Sequence, residues 1–300
     1  MDMIIVGSLA LDTIEAPAGR VENAVGGSAT YASLAASYFT TPGLVGVVGS
    51  DFPEEQKQAF RKNGIDLSGL QIVEGKTFRW GGRYSPQLDQ RETLFTELNV
   101  FESFSPELPE AYQNSKYVLL ANIQPDLQHQ VLDQITGEPF VVVDTMNLWI
   151  NTALESLKRL LRRTHLLIVN DEEAQMLTGE MSHGAAARKL QHMGPKLVVI
   201  KKGQHGALLF GSKGEVFSAP ALVFSRVTDP TGAGDAFAGG MLGYLANEQS
   251  TDFATLRRAV VWGSVMSSFA IQKFSATGLL QLKQSALDNR YHEFKSISIF

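Results

Sequence analysis

The sequence predicts an α/β protein, with a doubly wound, mostly parallel sheet flanked by helices and a small separate β-layer. Three observations lead there. Six short apolar runs recur, at residues 3–6, 44–48, 117–120, 140–143, 166–169 and 197–200, and apolar runs of this length fit strands buried on both faces. Amphipathic stretches lie between them, at 126–135, 153–163 and 184–193; such alternation implies βαβ units and a parallel sheet. Polar residues follow four of the runs: Asn122, Asp144, Asn170 and then Lys201-Lys202-Gly203. Open α/β sheets bind ligands beyond the carboxyl ends of their strands, so this series draws a ligand-facing rim. A polar residue also simply ends a strand, so the weight lies in the series.

One segment breaks the alternation. Within residues 70–104, Thr77 to Tyr84 and Arg91 to Glu97 partly alternate around Ser85-Pro86, the pattern of an inserted hairpin. With residues 12–25 it predicts a small β-sheet over the rim, serving as a lid or as a homodimer contact; a plain surface hairpin is the alternative. No fixed-period repeat or interdomain linker interrupts the chain, so a single domain is expected over residues 1–300.

Composition narrows the function. A chain with 44% hydrophobic and 19% charged residues can bury a large core. A net charge of −5 carries no basic footprint, which disfavours nucleic acid and anionic membrane partners and favours a small molecule. The absence of cysteine removes disulfides, thiolate metal sites and a cysteine nucleophile. The N-terminus is acidic where a signal peptide is basic, and charges interrupt every long apolar stretch, so a cytoplasmic protein is expected.

The most informative stretch runs from Asp229-Pro230-Thr231-Gly232-Ala233-Gly234-Asp235 to Gly240. Proline and glycines set an irregular turn, and residues 236–246 are rich in helix-compatible types. A helix N-terminus here aims free N–H groups and the positive end of its dipole outward, and the bare Gly232 and Gly234 let phosphate oxygens approach. Asp235 ought to repel that anion. It makes sense as a base: an acceptor hydroxyl between Asp235 and a γ-phosphate gives up its proton as the phosphoryl group transfers. An acidic residue also stabilises a helix N-terminus, and for an isolated Gly-Ala-Gly-Asp that explanation suffices.

The stretch is not isolated. It resembles the signature of the ribokinase-like, or PfkB, carbohydrate kinase family, and further landmarks follow in the family's order along nearly the whole chain. Gly7-Ser8 followed by Asp12 resembles the first strand and the acidic residue that holds substrate hydroxyls. Gly26-Gly27 resembles the diglycine at the lid hinge, and Gly46 to Phe52 a second family block. Asn170-Asp171-Glu172-Glu173 resembles the N-x-x-E motif, whose Asn170 and Glu173 act on Mg²⁺ through water; the same pair also fits an ordinary capping box. Lys202-Gly203-Gln204-His205-Gly206, with Lys201 beside it, resembles the nucleotide loop, and adenine is expected near residues 265–278. Asp229 and Thr231, with Ser275 from a later loop, match positions that build a monovalent-cation site.

The resemblance implies a ribokinase-like fold and an ATP-dependent kinase that uses Mg²⁺, with K⁺ as a further candidate. The γ-phosphate passes to a primary hydroxyl of a small sugar or nucleoside. Asp235 is the base, and the amides of Gly232, Ala233, Gly234 and Asp235 are the anion hole. Asp12, Gly26, Gly27, Tyr31 and Asn122 are the candidate acceptor-binding residues. Two departures matter. Tyr31 stands where many of the family's sugar kinases carry asparagine, and with Phe78, Trp80 and Tyr84 it offers aromatic surface to a flat base, although a tyrosine at a helical position more often packs in the core. Asp144-Thr145-Met146-Asn147 also differs from the usual sugar-kinase sequence. Both leave the choice between sugar, sugar phosphate and nucleoside open.

Other classes fare worse. A non-catalytic sugar or nucleoside sensor on the same fold is the main alternative, although the base and the anion hole are intact. A dinucleotide-binding dehydrogenase lacks its Gly-x-Gly-x-x-Gly after the first strand, and no P-loop or His-Glu-x-x-His string is present. His129, His165 and His292 read as scattered surface residues.

Overall fold

The computed structural model describes residues 1–88, 90–224 and 226–298. Asp89, within the segment predicted as a lid, therefore lies outside the described residues. Thirteen strands are described: β1 Met3–Val6, β2 Ala10–Ala16, β3 Gly19–Gly26, β4 Gly43–Gly49, β5 Asp66–Val73, β6 Arg79–Tyr84, β7 Arg91–Glu97, β8 Tyr117–Leu120, β9 Phe140–Asp144, β10 Leu166–Asn170, β11 Leu197–Lys201, β12 Ala207–Phe210 and β13 Val216–Ala219.

Nine of them form one sheet in the order β13-β12-β11-β10-β9-β8-β1-β4-β5. Pairing is parallel from β5 to β11, with β12 and β13 added antiparallel. The chain runs outward from β1 through β4 to β5, then returns to β8 on the other side of β1. Strand order thus reverses beside β1, where such folds open a ligand crevice.

Successive residues of a strand face opposite sides of the sheet. Met3 and Ile5 accordingly join one core while Ile4 and Val6 join the other. The first core is closed by the helices Ser28–Ala36, Ala233–Glu248 and Phe253–Ala270, the second by helices that include Pro125–Gln134, Leu154–Leu161 and His183–His192. Every residue of Ser28–Ala36 is buried, so that helix has no polar face to give it a 3.6-residue rhythm. Among the described residues no helix is long and apolar enough to cross a membrane.

The second sheet has the order β3-β2-β6-β7. It is the predicted small β-layer, with one correction of its extent. Residues 70–73 are the end of β5, paired in parallel with Gly46 to Gly49 on the edge of the large sheet. The inserted hairpin is β6 and β7 alone, and its first strand lies parallel to β2.

Candidate active site

The rim forms where the carboxyl ends of β9, β10 and β11 meet the turn before Ala233–Glu248. Lys201, the last residue of β11, points its Nζ to Asp144 Oδ1 at 3.1 Å, a pair largely removed from solvent. A side chain on Gly234 would begin 3.0 Å from that ammonium, so Lys201 stands at the mouth of the helix. Burial works against its charge, but Asp144 and then Glu173 carry its pKa above the ordinary lysine value.

Asn170 and Glu173 form a complete capping box: Glu173 N donates to Asn170 Oδ1 at 2.7 Å, and Asn170 N donates to Glu173 Oε2 at 2.8 Å. The box fixes Glu173 just below Lys201. Burial pushes its carboxyl up to about 7, with Lys201 opposing and Asp144 adding to the rise. Beyond β11, Lys202 to Gly206 close a tight turn in which Lys202 N donates to the Gly206 carbonyl at 2.7 Å. Gly203 and Gly206 both take positive φ there.

The phosphate-binding candidate is built over an aromatic floor. Gly232 caps its helix at φ 76°, a conformation that costs a side-chain-bearing residue about 1–2 kcal/mol. A Cβ there would also stand 2.3 Å from the Tyr31 ring. Asp229 is fully buried; its Oδ1 accepts from Thr231 N at 2.9 Å and its Oδ2 from Ser275 N at 3.1 Å. The structure thereby joins Asp229, Thr231 and Ser275 across 46 residues of chain.

Asp235 sits in the first helical turn, partly exposed. Burial among protein atoms pushes its carboxyl up to about 7, Asp144 adds to this, and Lys201 and Arg91 pull against it. Asp12 is raised further, to about 8, first by burial and then by Asp229 and Asp235. Its Oδ1 is buried without a hydrogen-bond partner.

The acceptor-side candidates do not all have the surroundings expected of them. Asp12 fills the space left by the missing side chain of Gly26, where a Cβ would fall 1.9 Å from Oδ2. Gly27, at φ 92°, lies against the Ser8 carbonyl and starts the Ser28–Ala36 helix. Tyr31 is 1% exposed. Its ring is spent supporting Gly232 and offers no face to a base, although its hydroxyl is another buried group without a partner. The Asn122 amide is occupied within the protein, its Oδ1 accepting from Trp149 Nε1 at 2.8 Å and its Nδ2 meeting Met146 Sδ. Phe78 packs against Phe101, with ring centroids 5.5 Å apart, as part of an aromatic row continued by Phe104.

Two contacts at the candidate site lie beyond what the sequence shows, although Asp144 itself is already placed on the rim there. Asp144 is the counter-ion of Lys201, and Arg91 brings lid charge to bear on both Asp12 and Asp235. The placement of Asp144 at a strand end was the signal available for the first. Nothing short of strand register shows the second.

Comparison with known proteins identifies the family. The model of the pfkB family of carbohydrate kinases matches residues 3–282. A cytidine kinase from Thermococcus kodakarensis is 34% identical over 247 residues, 81% of this chain and 87% of that protein. The nucleoside kinase of Methanocaldococcus jannaschii, an archaeal member of the ribokinase family, superposes with a TM-score of 0.77 at 18% identity, over 98% of this chain and 99% of its own. The aminoimidazole riboside kinase of Salmonella enterica, solved with aminoimidazole riboside and an ATP analogue, gives 0.77 at 21% identity, over 96% and 99%. At these identities the two structures speak for the fold, and the sequence matches carry the family. The chain belongs to the pfkB family of carbohydrate kinases and is an ATP-dependent kinase of a sugar or nucleoside.

Proposed function

We propose that this kinase transfers the γ-phosphate of MgATP to a hydroxyl of a nucleoside, with Asp235 as base. The observation that carries the reading is the pairing of a bare helix N-terminus with a carboxyl whose proton affinity is raised towards neutrality. The acceptor oxygen forms its bond to phosphorus as the bond to the bridging oxygen of ADP breaks. The hydroxyl proton passes to Asp235, and the bond's electrons leave with ADP. The Gly232, Ala233, Gly234 and Asp235 amides hold the charge that develops on the transferred group, the Ala233 N–H giving up its 3.3 Å bond to the Pro230 carbonyl to do so, and Lys201 stands beside them. Asp12, with its unpartnered Oδ1, receives an acceptor hydroxyl.

Mg²⁺ bound with ATP neutralises phosphate charge. Asn170 Oδ1 and Glu173 Oε2 already accept within the capping box, so these residues would hold the ion through water, as suits a cation that sheds its waters reluctantly. The Lys202–Gly206 turn takes the nucleotide. A fully buried carboxylate with two loops folded onto it fits a monovalent cation beside Asp229, and titrating activity with K⁺ tests that part. The preference for a nucleoside rests on the sequence relative that is a cytidine kinase.

A coupled ATP-consumption assay with Mg²⁺ and K⁺, run over cytidine, other nucleosides, free sugars and sugar phosphates, tests the whole. Cytidine or another nucleoside should give the strongest turnover, and Asp235→Asn should lose about 10²–10⁴ of it. The native rate should fall as pH drops through about 7, where Asp235 takes up a proton. Full turnover by a correctly folded Asp235→Asn protein would refute the base assignment. Turnover with a free sugar alone would refute the acceptor. Silence across the panel, with ligands still stabilising the protein, would revive the sensor reading.

A further inference from the structure

The lid and the phosphate turn share a continuous path of hydrogen bonds. Tyr84, the last residue of β6, places its hydroxyl 2.9 Å from Thr231 Oγ1. Thr231 donates its N–H to Asp229 Oδ1, Asp229 Oδ2 accepts from Ser275 N, and Ser275 Oγ donates to the Val25 carbonyl in β3. The path therefore leaves the lid at one strand, passes through the residues flanking Gly232, and re-enters the lid at another.

Tyr84 is itself well held. Arg91 lies opposite it in the β6–β7 register, faces its hydroxyl and stacks over the Trp80 ring at 5.2 Å. Trp80 is the register partner of Asp12 in the parallel β2–β6 pair. Partners in register project to the same face of a sheet, so Asp12, Trp80, Tyr84 and Arg91 belong to the face of the lid that meets the site.

We infer that Tyr84 is a positioning residue that makes phosphate binding at the Gly232–Asp235 amides and seating of the lid over the acceptor strengthen each other. The inference rests on the kinase reading above. The Tyr84–Thr231 bond exists only with the lid seated and the turn in place, so whatever fixes one favours the other. Linkage requires the effect to be equal in both directions. One neutral hydrogen bond sets its size at about two- to tenfold. Tyr84 touches none of the reacting atoms in this scheme and acts through Thr231.

Amide hydrogen exchange with Mg²⁺ and the non-hydrolysable analogue AMP-PNP tests this without an acceptor. In the native protein the nucleotide should slow exchange both at residues 231–235 and in the lid at residues 79–84. In Tyr84→Phe the turn should remain protected while the added protection of the lid shrinks by about two- to tenfold. Thr231→Val should repeat that loss from the other side of the bond, Thr231→Ser should restore it, and the Tyr84→Phe/Thr231→Val pair should lose no more than either alone. The Thr231 variants decide the matter should Tyr84→Phe fold poorly. Lid protection that is absent in the native protein, or unchanged in both Tyr84→Phe and Thr231→Val, overturns the coupling alone. A native turn that AMP-PNP leaves unprotected sinks the kinase reading, and the coupling with it.

Discussion

The two sheets that border the candidate site are held in different ways. The large sheet supplies Asp144, Asn170 and Lys201 from strand ends whose preceding residues are apolar and almost wholly buried on both faces. The small sheet supplies Asp12 and Tyr84 from β2 and β6, which are buried or half-buried over most of their length, and Arg91 from β7, which is solvated along nearly its whole length. Across the small sheet run ion pairs near the surface, Arg83 with Glu15 and Glu92 and Arg20 with Glu15 and Glu22, while the half-buried pair of Arg79 with Asp51 reaches out of it. Exposed pairs contribute about 0–1 kcal/mol each, whereas removing one partner of a buried pair costs about 3–5 kcal/mol. The large sheet therefore holds its polar strand ends by buried packing, whereas the outer strand β7 of the small sheet is held by contacts open to solvent.

The sharpest way to break this contrast is to cut one ion pair on each side. Lys201→Met leaves Asp144 buried without its counter-ion, at 6% side-chain exposure, and should lower the unfolding free energy in urea by about 3–5 kcal/mol. A loss below 1 kcal/mol would mean that the rim is no more rigidly held than the lid.

Asp12 gives an intermediate effect with a definite sign. Its carboxyl lies at about 8 in the folded protein, against an ordinary value of 3.8. Between those values the folded chain keeps a proton that the unfolded chain has lost, so this stabilisation is complete at low pH and disappears as pH rises through about 8. Raising the pH from 5 to 8 should therefore lower Tm more in the native protein than in Asp12→Asn. Parallel Tm profiles would show that Asp12 is not held protonated by burial. The smallest effect belongs to Arg83→Met, whose guanidinium is 53% exposed. It should change urea stability by no more than about 1 kcal/mol, and a larger loss would make the lid a rigid element after all.

The same contrast governs how much was legible in the sequence. The six apolar runs became β1, β4, β8, β9, β10 and β11 with ends shifted by no more than one residue, because strands buried on both faces have little choice of composition. β5 was missed: it is a half-exposed edge strand carrying Asp66, Ser68 and Gln71, and no run stands out. The helix Ser28–Ala36 shows only its start, at Gly26-Gly27, because being buried on every side it has no amphipathic rhythm to mark its length. At the site, the turn around Gly232 and the capping box at Asn170 are local in sequence and could be read directly. The meeting of Tyr31 with Gly232, of Lys201 with Asp144, and of Tyr84 with Thr231 depends on packing between distant segments, which no spacing along the chain encodes.

The bond from Ser275 to the Val25 carbonyl joins residues 250 positions apart. During synthesis the chain emerges N-terminus first, so β3 waits for nearly the whole protein before its partner at residue 275 arrives. All thirteen strands are complete by Ala219, and a ribosome-bound chain of that length already contains every sheet residue without the turn that would hold phosphate.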